Sequence, residues 1–390
     1  MQSYRDDFFA WEQCKLSDIS EKSYEKNTDN KYSTVLTNSA EYGVVKQRDF
    51  FDKDIANSSN ISGYYVVRKN YFVYNPRISN QAKFGPINRN KLDETGIMSP
   101  LYLVFTVHDI NESFLETLFQ TTTWHRFMYQ NGDTGARADR FAIKDSTFMS
   151  MPIKVPMLEE QNKLAFAIQK LDHTITLHEE KKCLLERLKS ALLQKMFADE
   201  SGYPVVRFEG FSDEWVQRKL GDVVGEIQSG NRLPKASLTN GDVPYVVAQT
   251  KNDGVFQKIA RGTLDYNGNP MKLFPGNSIS FSIDNPEAMF YRNAEFYTSN
   301  IMRVIHEDHL THEQYVFILE NMKRFIRGYD WSRKFSGPVV SNLKYLQPSE
   351  EEQQKIGSFF KQLDDTIALH QQKINNINSV KKSLLQKMFI

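Results

Sequence analysis

The chain contains one segment twice, and this repeat restricts the fold more than any other feature. Glu159 to Phe197 reads EEQNKLAFAIQKLDHTITLHEEKKCLLERLKSALLQKMF, and Glu351 to Phe389 reads EEQQKIGSFFKQLDDTIALHQQKINNINSVKKSLLQKMF. Aligning Gln161 with Gln353 sets an offset of 192 residues (353 less 161). The same offset superposes Lys163 on Lys355, Leu171-Asp172 on Leu363-Asp364, Leu177-His178 on Leu369-His370, and Leu192 to Phe197 on Leu384 to Phe389. The chain is therefore an internal duplication with a period near half its length.

Both copies lack Pro, and their Leu, Lys, Gln and Glu content favours helix. Each is expected to form one helix of about 58 Å. In the second copy Ile356, Phe360, Leu363, Ile367, His370, Ile374 and Ile377 recur in alternating steps of four and three, and Leu384 and Met388 resume the row. The first copy repeats it with Leu164, Ile168, Leu171, Ile175, His178, Leu185, Leu192 and Met196. That spacing is a coiled-coil seam. Two such helices most simply bury their stripes on each other; the alternative is two surface helices, each docked on its own domain. His178 and His370 lie at the midpoints of the repeats. In an antiparallel pair they should face each other as a polar layer that fixes register.

Two stretches of similar size accompany the helices. Each opens alike: Trp11-Glu12-Gln13-Cys14-Lys15-Leu16-Ser17-Asp18-Ile19 parallels Trp215-Val216-Gln217-Arg218-Lys219-Leu220-Gly221-Asp222-Val223. Each closes alike, in Pro156-Met157-Leu158-Glu159-Glu160-Gln161 and Pro348-Ser349-Glu350-Glu351-Glu352-Gln353, where acidic residues suit a helix start. Gly63–Asn75, Tyr102–Val107, Pro244–Gln249, Asn277–Ile283 and Thr298–Ile305 read as strands, and Glu112–Tyr129 and Glu313–Tyr329 as helices. The expected fold is α+β, with domains at 1–158 and 198–350, a linker at 198–207, and the repeated helices at 159–197 and 351–390.

The chemistry of a self-contained enzyme is missing from the sequence. Asn75-Pro76-Arg77, Asn269-Pro270-Met271 and Asn285-Pro286-Glu287 lack the second Pro and the aromatic of a methyltransferase motif, and no phosphate-cradling Gly-rich loop occurs. Glu179-Glu180-Lys181 has nuclease-like spacing but sits mid-helix, where a solvated face explains it. The eight His are scattered, and Cys14 and Cys183 fit neither a disulfide framework nor a metal-ligand spacing. No cofactor or metal is expected. With 49 Lys and Arg against 48 Asp and Glu, any nucleic-acid site must be local. No apolar run approaches a membrane span, and no signal segment opens the chain, so a cytoplasmic location and no membrane partner are expected.

The duplicated Pro-x-x-Glu-Glu-Gln helix ending in Leu-Leu-Gln-Lys-Met-Phe, each copy after a β-rich domain opened by W-x-x-x-K-L-x-D, resembles the specificity (S) subunit of type I restriction-modification systems. The resemblance covers essentially the whole chain. It implies two target recognition domains separated by an antiparallel coiled coil of two long helices with pseudo-two-fold internal duplication. Each domain would read one half of a split, asymmetric site in double-stranded DNA, and the helices would dock two methyltransferase (M) subunits. Restriction (R) subunits would join for cleavage, and the catalytic residues would lie in these partners. The leader Arg207-Phe208-Glu209-Gly210-Phe211 before Trp215 is common in that family, whereas Arg5-Asp6-Asp7-Phe8-Phe9-Ala10 before Trp11 is degenerate, which leaves the N-terminal extent of the first domain open. The competing reading is a non-catalytic adaptor whose two domains bind proteins.

Phosphate contacts call for Lys and Arg, and base readout for Arg, Lys, Asn or Gln at groove edges. Basic residues in Gly- and Asn-rich loops are the candidates. They are Arg77, Lys83 and Arg89 in NPRISNQAKFGPINRN, and Arg137, Arg140 and Lys144 in GARADRFAIK. In the second domain they are Arg232 and Lys235 in QSGNRLPK, Lys251 in QTKNDG, and Arg327, Arg333 and Lys334 in RGYDWSRKFSG.

Overall fold

A computed structural model describes residues 11–50, 61–134, 139–234, 238–330 and 332–389. The chain divides into two compact units, Met1–Leu177 with Ile374–Ile390, and His178–Lys373. The division runs through the middle of both long helices.

In the first unit, the opening strand β1 (Glu12–Lys15) is followed by β2 (Ser20–Lys22), β3 (Phe72–Tyr74), β4 (Ile87–Arg89), β5 (Leu103–Val107), helix α1 (Glu112–Phe119) and β6 (Pro152–Val155). Strands β2-β5-β3-β4 form one antiparallel sheet, while β1 pairs with β6 from Glu12 opposite Val155 to Lys15 opposite Pro152. The first and last strands of the domain thus close on each other, which is why the opening and closing signatures travel together in sequence. The stretch expected as one strand from Gly63 to Asn75 is two, Tyr65–Val67 and Phe72–Tyr74, with Asn70 between them in the left-handed region at φ 69°. The helical stretch from Glu112 breaks as well, into α1 and His125–Asn131. Asn111 caps α1 by accepting from the Phe114 amide at 2.9 Å.

The long helix α2 (Leu158–Lys195) spans 38 residues and, as expected, is unbroken. The second unit repeats the plan with β7 (Val216–Lys219), β8 (Gln228–Ser229), β9 (Ser278–Ser282), β10 (Met289–Arg292), β11 (Met302–Ile305), helix α3 (His312–Phe325), β12 (Lys344–Gln347) and the long helix α4 (Glu350–Met388). Its sheet order β8-β11-β9-β10 reproduces β2-β5-β3-β4, and β7 pairs with β12 as β1 does with β6. Thr311 and Gln314 form a reciprocal capping box that starts α3. A three-stranded sheet of Val255–Ile259, Val243–Val246 and Tyr297–Thr298 completes the domain.

The repeated sequence ends do matching structural work. Phe389 stands 5.5 Å from the Trp11 ring and 5.4 Å from Phe114 in one core. Its counterpart Phe197 stands 6.4 Å from Trp215 and 5.2 Å from Phe317 in the other. Each buried ring contributes about 2 kcal/mol from area removed from water. The helix starts match too: Trp11 Nε1 donates to Glu160 and Trp215 Nε1 to Glu352, both at 3.2 Å. The Gln161 amide donates to the Pro156 carbonyl at 2.8 Å, and Gln353 to Pro348 at 3.0 Å. In the second unit Arg207, from the leader, adds a two-pronged pair to Glu352 at 2.8 Å. The residues before Trp11 lie outside those described.

Within each unit the early part of one long helix lies beside the late part of the other, an antiparallel pairing. In the first unit Leu164 and Ala165 share a core with Leu385, Met388 and Phe389. In the second, Leu193, Met196 and Phe197 share one with Ile356 and Phe360. Ile168, Ile175, Ile356, Phe360, Leu363, His370 and Ile374 are buried, and Leu164, Leu171, His178 and Ile367 half-buried, so the four-three row faces inward. The row continues through Lys189 and Lys381, which carry matched ion pairs: Lys189 to Asp364 at 2.7 Å and Lys381 to Asp172 at 2.6 Å. His178 does face His370, Nδ1 to Nδ1 at 2.9 Å. Close packing of α4 on α3 requires Gly357, where a Cβ would stand 1.9 Å from the Glu313 carbonyl oxygen.

Candidate nucleic-acid interface

In the first unit, loop geometry brings two of the expected basic residues together. The chain turns after β3, and Arg77 forms a single antiparallel bridge with Arg140, so two exposed arginines far apart in sequence become neighbours. Both line a cavity of about 510 Å³ with Asn38, Asn75, Gln81 and Tyr102. The Arg77 side chain has no ion-pair partner among the described residues, and Arg140 only approaches Asp139 at 4.0 Å. A guanidinium fork with no ion pair and a second paired only at the limit of contact, beside amide side chains, form a surface suited to phosphate oxygens and base edges. The cavity is held open by a polar network: Asn38 donates to the carbonyls of Val73 and Pro86 at 2.8 and 3.1 Å, and Asn75 to that of Asn38 at 2.8 Å. Gly85, at φ 80°, is forced by this turn, since a Cβ there would meet the Asn75 carbonyl oxygen.

The remaining candidates divide by how far they are already bonded. Lys83 and Lys144 are exposed, and Lys83 together with burial holds the His125 imidazole below its ordinary value, burial being the larger cause. Arg89 turns inward instead. Its guanidinium pairs with Glu116 at 2.8 Å and donates to Ser113 at 3.0 Å, both on α1, so it braces the domain. In the second unit Arg232 is exposed and lies over the Tyr266 ring at 4.6 Å, and Lys251 and Arg327 are also exposed. Lys334 pairs with Asp284 at 3.1 Å and Arg333 approaches Asp330 at 4.0 Å. Arg137 and Lys235 lie outside the described residues. Asn38, Asn75, Gln81 and Tyr102 were missed in sequence because amides and a tyrosine scattered over that span carry no shared spacing; only the fold gathers them.

Among the described residues no group of three His, Cys, Asp or Glu side chains could hold a metal, and no helix is long and apolar enough to cross a membrane.

Residues 212–379 match the family described as the type I restriction modification DNA specificity domain. The chain is similar to type I restriction-modification specificity subunits. A protein of Methanocaldococcus jannaschii named as the type I restriction enzyme MjaIX specificity subunit is 23% identical over 349 residues, 84% of this chain and 74% of that one. The MjaVIII specificity subunit of the same organism is 22% identical over 323 residues, 74% of this chain and 69% of that one. In fold, the chain is similar to the crystal structure of a type I S subunit from M. genitalium, with a TM-score of 0.63 at 13% identity over 100% of this chain and 98% of that one. A second solved structure, described as the basis of complex assembly and conformational transition of the type I R-M system, gives 0.57 at 13% identity over 98% of each chain. The mixed helix-and-sheet fold with two long helices is therefore that of an S subunit.

Proposed function

We propose that this chain is the DNA-specificity subunit of a type I restriction-modification complex, reading a bipartite, asymmetric site and serving as scaffold for two methyltransferase subunits and for restriction subunits. The observation that carries the reading is the duplication of architecture without duplication of loops. Two domains of one sheet order, each clamped to the same repeated helix ends, differ in the residues their loops display. One frame with two unlike surfaces suits two unlike half-sites.

In the first domain the reading surface is the cavity of Arg77 and Arg140, with Lys83, Arg137 and Lys144 contributing charge. In the second it comprises Arg232, Lys235, Lys251, Arg327, Arg333 and Lys334. The repeated helices carry the methyltransferase contact, because a partner shared among many specificities needs a surface independent of the target. Supporting this, Phe166, Leu177, Leu184 and Leu188 on α2 and Leu369 and Val380 on α4 are exposed although the seam is already filled. The test is to isolate duplexes from a random library with the chain and its co-encoded methyltransferase. Recovery of a split motif with a fixed spacer supports the reading, and absence of DNA retention even at low salt refutes it.

A further inference from the structure

The second unit buries a cation that has no ion-pair partner among the described residues. Arg292 ends the edge strand β10 with 7% of its surface exposed. Its Nε donates to Ser280 Oγ at 2.8 Å, and the guanidinium lies over the rings of Phe290 and Phe296 at 5.2 and 5.8 Å. Nη2 has no hydrogen-bond partner, and no described carboxylate reaches ion-pair distance; the exposed Asp253 acts only from farther away. Burial pushes the guanidinium down to about 10, so it still carries its charge at neutral pH. In the first unit Arg89 ends the matching edge strand and is neutralised by Glu116. A buried guanidinium left without a counter-ion is unfavourable and calls for an occupant.

The space for one is present. Arg292 lines a cavity of about 670 Å³ together with Asn252, Asp253, His312, Lys323 and Lys361, a size within the range of small-ligand sites. The other carboxylates on its wall are already ion-paired, Glu320 through Oε1 with Lys189 and Lys323, Asp364 with Lys189, and Asp365 with Lys361, although Glu320 Oε2 has no hydrogen-bond partner among the described residues. His312 Nε2, on the same lining, also lacks a partner. The turn over the guanidinium is tight. Asn252, Asp253 and Gly254 are all left-handed, and a Cβ on Gly254 would stand 3.2 Å from Nη2.

We propose that this cavity binds a phosphate-class oxyanion, free or carried on a nucleic-acid strand, with Arg292 as the charge that holds it. A guanidinium fork matches phosphate oxygens in geometry and charge. The site borders the QTKNDG loop that carries Lys251, but Arg292 itself is not among the residues assigned to DNA reading, and the proposal does not depend on that assignment.

The experiment is thermal melting of the full chain in orthophosphate against chloride at matched ionic strength, for the wild type and Arg292→Met. The wild type should gain a saturable, phosphate-specific rise in melting temperature. Arg292→Met should lose that rise and, in chloride, melt no lower than wild type, because an apolar side chain of similar length replaces a buried unpaired charge. A wild type indifferent to phosphate, or a variant that responds equally, overturns the proposal. Should the variant fail to fold, calorimetric titration of the wild type with orthophosphate decides, with absence of saturable heat counting against the site. A duplex-binding arm separates the sources. Saturating phosphate that weakens duplex binding beyond the chloride control assigns the site to a DNA phosphate, and unchanged binding assigns it to a free anion.

Discussion

Lys189 and Lys381 occupy the same place in the two repeats, yet replacing each by Met should have very different consequences. Lys189 bridges Glu320 at 2.9 Å and Asp364 at 2.7 Å; its side chain is 14% exposed and that of Glu320 1%. Among the described residues Lys381 meets only Asp172, whose side chain is 46% exposed. Removing one partner from a buried ion pair leaves the other charge stranded, at about 3–5 kcal/mol. Glu320 would keep Lys323 at 2.8 Å, which sets the expectation for Lys189→Met near the lower end, about 3 kcal/mol. Asp172 can be rehydrated, so Lys381→Met should cost about 1 kcal/mol or less. For units of this size 1 kcal/mol corresponds to roughly 2–4 °C in melting temperature, giving roughly 6–12 °C against at most about 4 °C. Acid should act in the same direction. Burial alone would raise the Glu320 carboxyl, but Lys323 and Lys189 bring it below its ordinary value. Its contribution is therefore full above that ordinary value and lost as pH falls through the folded one. In Lys189→Met this acid dependence should flatten. Equal shifts in calorimetric melts of the two variants would refute the assignment of Lys189 as the buried, charge-compensating member.

Burial, then the neighbouring His178, Lys181 and Lys373, hold the His370 imidazole below its ordinary value, so the folded helices favour it neutral. Stability should hold above about pH 6.5 and decline as pH falls below it, and melting temperatures of His370→Leu should lose that decline. Arg77→Ala with Arg140→Ala should weaken duplex binding about tenfold or more and lower the salt slope by about two, read by fluorescence anisotropy across salt concentrations. Lys181→Glu with Lys373→Glu, both exposed on the long helices, should impair co-purification with the methyltransferase while leaving melting unchanged. Replacing residues from Phe208 to Leu346 with another recognition domain should change one half-site only, scored by sequencing of retained duplexes.

The repeat alone was enough to require two long helices and two like domains, since a four-three apolar row is a local property that every packed arrangement must bury. Even the facing of His178 and His370 followed from symmetry and position. The closing of Trp11 on Phe389 and Trp215 on Phe197 could not be read there, because these residues belong to different signatures that only folding brings together. Nor could the roles of like residues be told apart. Arg77 and Arg89 sit in one loop-rich stretch, but one is exposed on a cavity and the other is locked to Glu116; Arg292 is buried with no carboxylate at ion-pair distance among the described residues. A side chain's type sets what charge it can carry. Whether that charge faces solvent, an acid or nothing depends on which distant strands and helices surround it, and the tertiary structure alone decided that.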